Sequence, residues 1–206
     1  MSKFRKHSNW NEFRWESEMR RDERRINRYF AHLESCIDLP GEEDIIFGQI
    51  AERADLVPTG MAAATPDALR NRCYVSSSED EEDGEFTPSP AALSIVNLLD
   101  AMTCQWNQLA VEKLFPDFFP QALGVSCAYA KLLARTADFI HTDNGESGLK
   151  RTLGKRVLAD LNELADALSF VADHLETVKI LAAEHRENLA QIHDQMTFLL
   201  NRIKNG

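Results

Sequence analysis

The sequence predicts an all-α fold: a helical bundle with a long C-terminal heptad-patterned helix and an N-terminal helical arm. Apolar residues recur three and four positions apart over most of the 206 residues, which is typical of helices with one buried face. The segment 165–203 contains neither glycine nor proline, so its composition favours an unbroken helix. Hydrophobic residues make up 44% of the chain, which is enough to fill a core.

Residues 1–72 are expected to form an N-terminal helical region. Ser8 is a favourable N-cap for a basic helix over 9–37, and Pro40 with Gly41 ends that helix. A shorter helix is expected over 42–54, and residues 55–72 are interpreted as a loop with one turn after Thr65. The apolar residues that recur at helical spacing in the first helix are Trp15, Met19, Ile26, Tyr29, Phe30, Leu33 and Ile37.

An acidic linker is predicted over 73–89. Six of the seven residues 79–85 are acidic, and serine and proline residues flank them, so the segment cannot bury a core. Ser89 and Pro90 then supply an N-cap and a first helical residue. The linker therefore separates the N-terminal region from a helical bundle over 90–206.

The bundle is predicted to begin with helices over 90–114 and 118–141. The second of these is rich in alanine and other small residues, which let neighbouring helices approach closely, so we expect it to be central. A loop follows, and the last helix is expected to begin near Gly148.

The last helix carries an unbroken seam of heptad positions, which predicts a single helix over about 149–203. The seam comprises Leu161, Leu164, Leu168, Val171, Leu175, Val178, Ala182, His185, Leu189, Ile192, Met196, Leu199 and Ile203. Such a helix would be roughly 80 Å long and would overhang the shorter bundle helices. A break near Asp173–His174 would instead fold it back as two bundle helices.

An overhanging apolar seam must be covered, and we expect a second copy of the chain to cover it. The predicted interface of this homodimer is Leu189, Ile192, Met196, Leu199 and Ile203, and the first helix of the same chain is the alternative cover. His185 occupies a seam position, where a polar residue is expected to fix the register or to be partly exposed, with a response to pH as a further alternative.

Arg135 and His141 are the candidate catalytic residues. The segment "RTADFIH" places a histidine six residues after an arginine at the end of a helix. This spacing resembles the R-x(4–6)-H signature of helical-bundle RNases of the HEPN class, and the resemblance implies that both residues act on an RNA phosphate across a dimer interface. The alternative is a surface arginine and a histidine that suits the negative end of the helix dipole.

An arginine-rich stretch over 13–28 is the candidate binding arm. Arg20, Arg21, Arg24, Arg25 and Arg28 could contact RNA or an acidic partner, with Trp15 available for stacking. Residues 1–35 carry nine Lys/Arg against six Asp/Glu, although the chain as a whole has a net charge of −10. The interspersed acids favour the alternative, a solvated helix with internal ion pairs.

His32 and Cys36 stand one helical turn apart and form half of a possible zinc site, but the sequence offers no second pair of ligands, so no metal and no cofactor are predicted. Cys36, Cys73, Cys104 and Cys127 show no C-x-x-C spacing and are interpreted as reduced, buried residues. The basic start precedes no apolar run, and no segment reaches the length of a membrane helix. The sequence therefore predicts a cytoplasmic location and no membrane partner.

The sequence favours a non-catalytic helical interaction or assembly protein that self-associates through its C-terminal helix. The first alternative is a HEPN-like RNase that uses Arg135 and His141. The second is a nucleic-acid-binding accessory protein that uses the arginine-rich helix.

Overall fold

The computed structural model of the chain describes residues 10–37, 39–59, 65–73, 88–114 and 118–205. Every regular element within these ranges is helical, which confirms the predicted all-α helical fold. The chain divides into two compact units, Met1–Gly84 and Glu85–Gly206. The acidic run 79–85 and the predicted cap Ser8 lie outside the described residues.

The first unit consists of α1 (Glu12–Cys36), α2 (Glu42–Ala51), a 3-10 turn (Ala54–Leu56) and α3 (Pro66–Cys73). The Asn11 side chain caps α1 by accepting a hydrogen bond from the backbone N–H of Arg14. Gly41 precedes α2 with φ +73°, a left-handed conformation that glycine adopts without strain. The segment 55–72 was interpreted from sequence as a loop with one turn after Thr65, and the structure places there the two-turn helix α3, which begins at Pro66 and reaches Cys73.

A small core holds the first unit together. α2 packs against both α1 and α3. At the edge of the core lie three partly buried residues, Tyr29, Leu33 and Ala51. The buried core residues are Cys36, Ile46, Phe47, Ile50, Leu56 and Leu69.

The second unit is a bundle of four helices, each packed against the next along the chain. They are α4 (Pro90–Leu109, continued by a π-helical turn over Ala110–Leu114), α5 (Phe119–His141), α6 (Ser147–His174) and α7 (Lys179–Asn205). The expected start of α4 is confirmed, because the Ser89 hydroxyl caps it and Pro90 is its first residue. Short connections make consecutive helices antiparallel, and α7 closes the bundle against α4.

The predicted single helix over 149–203 is wrong, because the chain turns back after His174. Leu175 adopts an extended conformation with φ −134° and ψ 108°, and a 3-10 turn over Glu176–Val178 leads into α7. The alternative considered from sequence, a break near Asp173–His174, is the one observed. No overhang of the bundle results.

The seam residues of α7 are consequently covered by their own chain. Leu189, Ile192 and Met196 are buried in the second unit, whereas Leu199 and Ile203 are half-buried. For Leu189, Ile192 and Met196, the cover that we expected from a second copy is therefore provided within one bundle. Among the described helices, none is both long and apolar enough to cross a membrane.

Candidate functional site

The arginines of α1 divide into two groups, and the first group is engaged inside the unit. Arg21 Nη1 donates to Glu18 Oε2 at 2.6 Å and to the Thr59 hydroxyl at 2.5 Å. Glu18 is buried and accepts a hydrogen bond from the backbone N–H of Thr59 at 3.2 Å. Arg25 is also buried and donates to the Leu56 carbonyl oxygen at 3.0 Å. Arg21 and Arg25, predicted as binding residues, instead attach the segment after α2 to α1.

The second group, Arg20, Arg24 and Arg28, is exposed and follows a single stripe at four-residue spacing. Arg20 forms a surface ion pair with Glu16, with 2.8 Å between Nε and Oε1, and its side chain remains 71% exposed. These three arginines are the part of the predicted basic arm that solvent reaches.

Trp15, predicted as a stacking residue, is only 2% exposed and cannot receive a base. It lies on the buried face of α1, with its ring 4.9 Å from the ring of Trp10. Phe13 is an exposed aromatic residue near the arginines of the second group; it is 83% exposed and lies seven positions before Arg20. The sequence analysis did not consider which side of the helix each aromatic residue occupies. Phe13 and Trp15 are two positions apart, so they lie on opposite sides of a helix.

A second exposed feature of α1 is apolar. Ile26, Phe30 and Ile37 are 54%, 61% and 60% exposed, and Met19 of the same stripe is half-buried. We call these four residues the apolar stripe of α1. The stripe lies beside the face that packs into the core of the unit, so α1 has more apolar surface than its own unit covers.

Arg135, the candidate catalytic arginine, is bound in an ion cluster between α5 and α6. Its Nη1 donates to both carboxylate oxygens of Asp160 at 2.7 Å, and Asp160 is only 4% exposed. Lys131 Nζ lies 3.0 Å from Asp160 and 2.7 Å from Glu163. Burial alone would lower the pKa of Lys131, but its hydrogen bonds to these two acids raise it. The cluster stabilises the pairing of α5 and α6.

His141, the second candidate, is exposed at the C-terminal end of α5. Its Nδ1 lies 2.8 Å from the carbonyl oxygen of Ala137 on the preceding turn. This contact holds the imidazole against the last turn of its own helix. Burial raises the pKa of Asp138, and the nearby charges of His141 and Arg135 partly offset this effect, so both candidate residues lie near that carboxyl group.

His185 is the most buried histidine among the described residues, and it joins three helices of the bundle. Its Nδ1 lies 2.6 Å from the Tyr129 hydroxyl on α5, and its Nε2 lies 2.9 Å from Gln105 Oε1 on α4. Since the amide oxygen can only accept, Nε2 carries the hydrogen and Nδ1 accepts from the tyrosine. Burial lowers the pKa of His185 and raises the pKa of Tyr129.

The possible zinc pair does not develop into a site among the described residues. Cys36 belongs to the core of the first unit, where the Ser35 hydroxyl lies 3.7 Å from its sulfur. No group of three His, Cys, Asp or Glu side chains that could hold a metal forms in the described part of the chain. The prediction that the cysteines are buried is wrong for Cys104 and Cys127, both of which are exposed.

A cleft of about 70 Å³ lies between the start of α5 and the end of α6. Its lining is mainly apolar and comprises Phe118, Gln121, Phe170, Val171, His174 and Leu175. Pockets that enclose a small-molecule ligand are usually 300 Å³ or larger, on the order of four times this volume.

No known protein family, curated protein or solved structure matches the chain.

Proposed function

We propose that the protein is a non-catalytic helical interaction protein that self-associates through the apolar stripe of α1. The observation that carries the proposal is the exposure of Ile26 and Phe30 on α1 and of Ile37 directly after it, beside a helix face that already fills a core. Each large apolar side chain left in water forgoes roughly 1.5–3 kcal/mol. Exposed apolar side chains that line up along one side of a helix favour a site of protein association.

The spacing of the stripe favours a second copy as the occupant. Met19, Ile26, Phe30 and Ile37 are separated by seven, four and seven residues, so the pattern reads the same in both directions. On a helix with 3.6 residues per turn, the four positions fall within about 40° of one another. Two copies of α1 placed antiparallel would therefore bring Ile26 of each chain against Phe30 of the other.

A two-fold axis makes such an arrangement self-complementary. In a two-fold dimer the same surface of both subunits is used, so each contact occurs twice. The outer apolar pairs would join Met19 to Ile37 of the other chain, and the central pairs would lie closest to the axis. The stripe supplies the apolar centre that a stable helical interface needs.

The contacts of the catalytic candidates do not favour the RNase alternative. Both available oxygens of Asp160 hold Arg135, and freeing that guanidinium would leave a buried carboxylate with a weaker partner. The predicted dimer seam on α7 is likewise occupied by the bundle itself, which moves the proposed interface to α1.

Sedimentation of a charged variant tests the proposal. Replacing Ile26 and Phe30 together by Asp places four carboxylates near the axis of the dimer, and we expect a monomer that retains the helical circular dichroism of the wild type. The control is Ile180→Asp, because Ile180 is 85% exposed on α7 and offers the same change of chemistry away from the stripe. A wild type that sediments as a monomer at high concentration contradicts the proposal, as does loss of the dimer in the Ile180 variant.

A further inference from the structure

We infer that the outer face of α1, formed by Phe13, Arg20, Arg24 and Arg28, binds single-stranded nucleic acid. The steps between these residues are seven, four and four, which keeps all of them on one side of the helix. This side lies ~140° around the helix from the apolar stripe. The inference is therefore independent of the proposed self-association.

The acids of α1 do not neutralise the outer face. Glu18 is buried against Arg21 and the backbone of Thr59, and Asp22 forms an ion pair with Arg25. Glu16 alone pairs with an arginine of the outer face in the described structure, and that arginine, Arg20, is still mostly exposed. A solvent-exposed pair of this kind is weak and can exchange its carboxylate for a phosphate.

Arg24 and Arg28 are accessible to an anion from solution, and the charge of Arg24 also acts weakly on Asp55, whose pKa is lowered mainly by its hydrogen bond to Arg53. Both are exposed, and the structure gives neither of them an ion pair or hydrogen bond with another described residue. A four-residue step along a helix is about 6 Å, so the three guanidinium groups form a row about 12 Å long. Such a row can follow the phosphates of a flexible single strand.

Phe13 favours nucleic acid over an acidic protein as the occupant. Its ring is 83% exposed, and a base can stack on an exposed aromatic face whatever its identity. The carboxylates of an acidic peptide would pair with the arginines, but they do not stack on an aromatic ring as a base does. Because the chain carries a net charge of −10, long-range attraction is absent and binding depends on these local contacts.

Fluorescence anisotropy with a labelled twelve-nucleotide oligouridylate tests the inference on the full chain. Between 50 and 200 mM salt, three arginine–phosphate contacts give a slope of about −2 for log affinity against log salt, about −0.7 for each phosphate. Arg24→Gln or Arg28→Gln should reduce the steepness of this slope by about 0.7. Phe13→Ala should weaken binding roughly five- to hundredfold with little change in slope.

The matched control is Arg186→Gln, which removes one exposed positive charge from α7 and should leave both affinity and slope unchanged. All four variants alter exposed side chains, and unchanged circular dichroism confirms their folding. Absence of binding at 50 mM salt overturns the inference. So does an equal effect of Arg186→Gln, or a poly-glutamate peptide that binds as tightly as the oligonucleotide and is insensitive to Phe13→Ala. The last result would assign the face to an acidic protein.

Discussion

The hydrogen bonds of His185 in the core of the bundle depend on its protonation state. The neutral ring satisfies both Tyr129 and Gln105, whereas a protonated ring carries hydrogens on both nitrogens and can no longer accept from the tyrosine hydroxyl. Burial opposes the charged form and is the main cause of the lowered pKa, which the charge of Glu184 only partly offsets. From sequence, this residue was expected to fix register or respond to pH, and its contacts are compatible with both roles.

The bundle should lose stability in acid because of His185. The unfolded chain protonates this histidine near its ordinary pKa of 6.5, whereas the folded chain resists protonation until a lower pH. The free energy of unfolding therefore falls as pH drops below about 6.5. Urea unfolding at pH 7.5 and pH 5.0 should show a larger decrease for the wild type than for His185→Gln, which does not titrate. Equal decreases in the two proteins would contradict this account.

Arg135→Ala should destabilise the bundle, although its sequence position suggested a surface residue of little structural importance. The carboxylate of Asp160 is only 4% exposed, and the substitution leaves Lys131 as its remaining cation among the described residues. We expect a loss of about 1–3 kcal/mol in the free energy of unfolding. Chemical denaturation measures it, with Arg186→Ala as the exposed control. A loss as small as that of the control would mean that Lys131 compensates fully.

At the scale of the helices, Gly154 sets how closely α6 and α7 approach. A Cβ atom at this position would lie 2.9 Å from Leu200 Cγ on α7 and 3.0 Å from the Phe139 ring on α5. Both distances are shorter than ordinary carbon contacts, so the neighbouring side chains would have to move. The glycine is therefore a packing requirement at the point where the three helices meet.

Gly154→Ala should lower the free energy of unfolding, whereas Gly124→Ala should raise it. Overpacking costs about 1–3 kcal/mol, which exceeds the gain of about 1 kcal/mol from the better helix propensity of alanine. Gly124 provides the matched control, because a Cβ there meets no atom within 4 Å. In a Leu200→Ala background the penalty at Gly154 should shrink. A penalty of unchanged size would place the clash elsewhere.

Helix boundaries were predictable where local chemistry decides them. Ser89 and Pro90 determine the start of α4, because the Ser89 hydroxyl caps the helix and the ring of Pro90 restricts φ to a helical value. Both effects are local and do not depend on tertiary contacts. The turn after His174 has no such mark, because the heptad spacing continues through Leu175 and Val178 and an extended leucine needs no special residue. The packing of α7 onto α6 determines the position of that turn. Two features of the sequence could have predicted it: the unusual length of a single helix over 149–203, and a histidine, which is favourable at the C-terminal end of a helix.

The candidate surfaces of α1 were predictable only in part, for a related reason. The arginine-rich composition identified the helix, but it could not separate the inward pairs of Arg21 and Arg25 from the exposed Arg24 and Arg28. That separation depends on where the segment around Thr59 packs. Trp15 was predicted as the stacking residue, but it is buried, whereas Phe13 is exposed.

At the scale of the whole chain, each unit has a core of its own, and the second unit should fold without the first. A fragment of residues 88–206 contains all four bundle helices and their buried residues. We expect it to be helical and to unfold cooperatively on heating, as monitored by circular dichroism. A fragment that ends at residue 174 is the control, because it lacks α7 and exposes the face that α7 covers. Failure of the longer fragment to fold would show that its core depends on residues 1–87.

The turn after His174 also bears on how fast the bundle assembles. Because the chain folds back there, α7 packs on the helix that immediately precedes it, and the main pairs of the bundle, α4 with α5 and α5 with α6, are likewise consecutive along the chain. Contacts between consecutive segments close short loops and cost little entropy in the search for the native state. Helical bundles with such low contact order fold in microseconds to milliseconds. A nascent chain can therefore form each consecutive helix pair as soon as its second helix is synthesised, and only the closure of α7 on α4 joins helices that are distant in sequence.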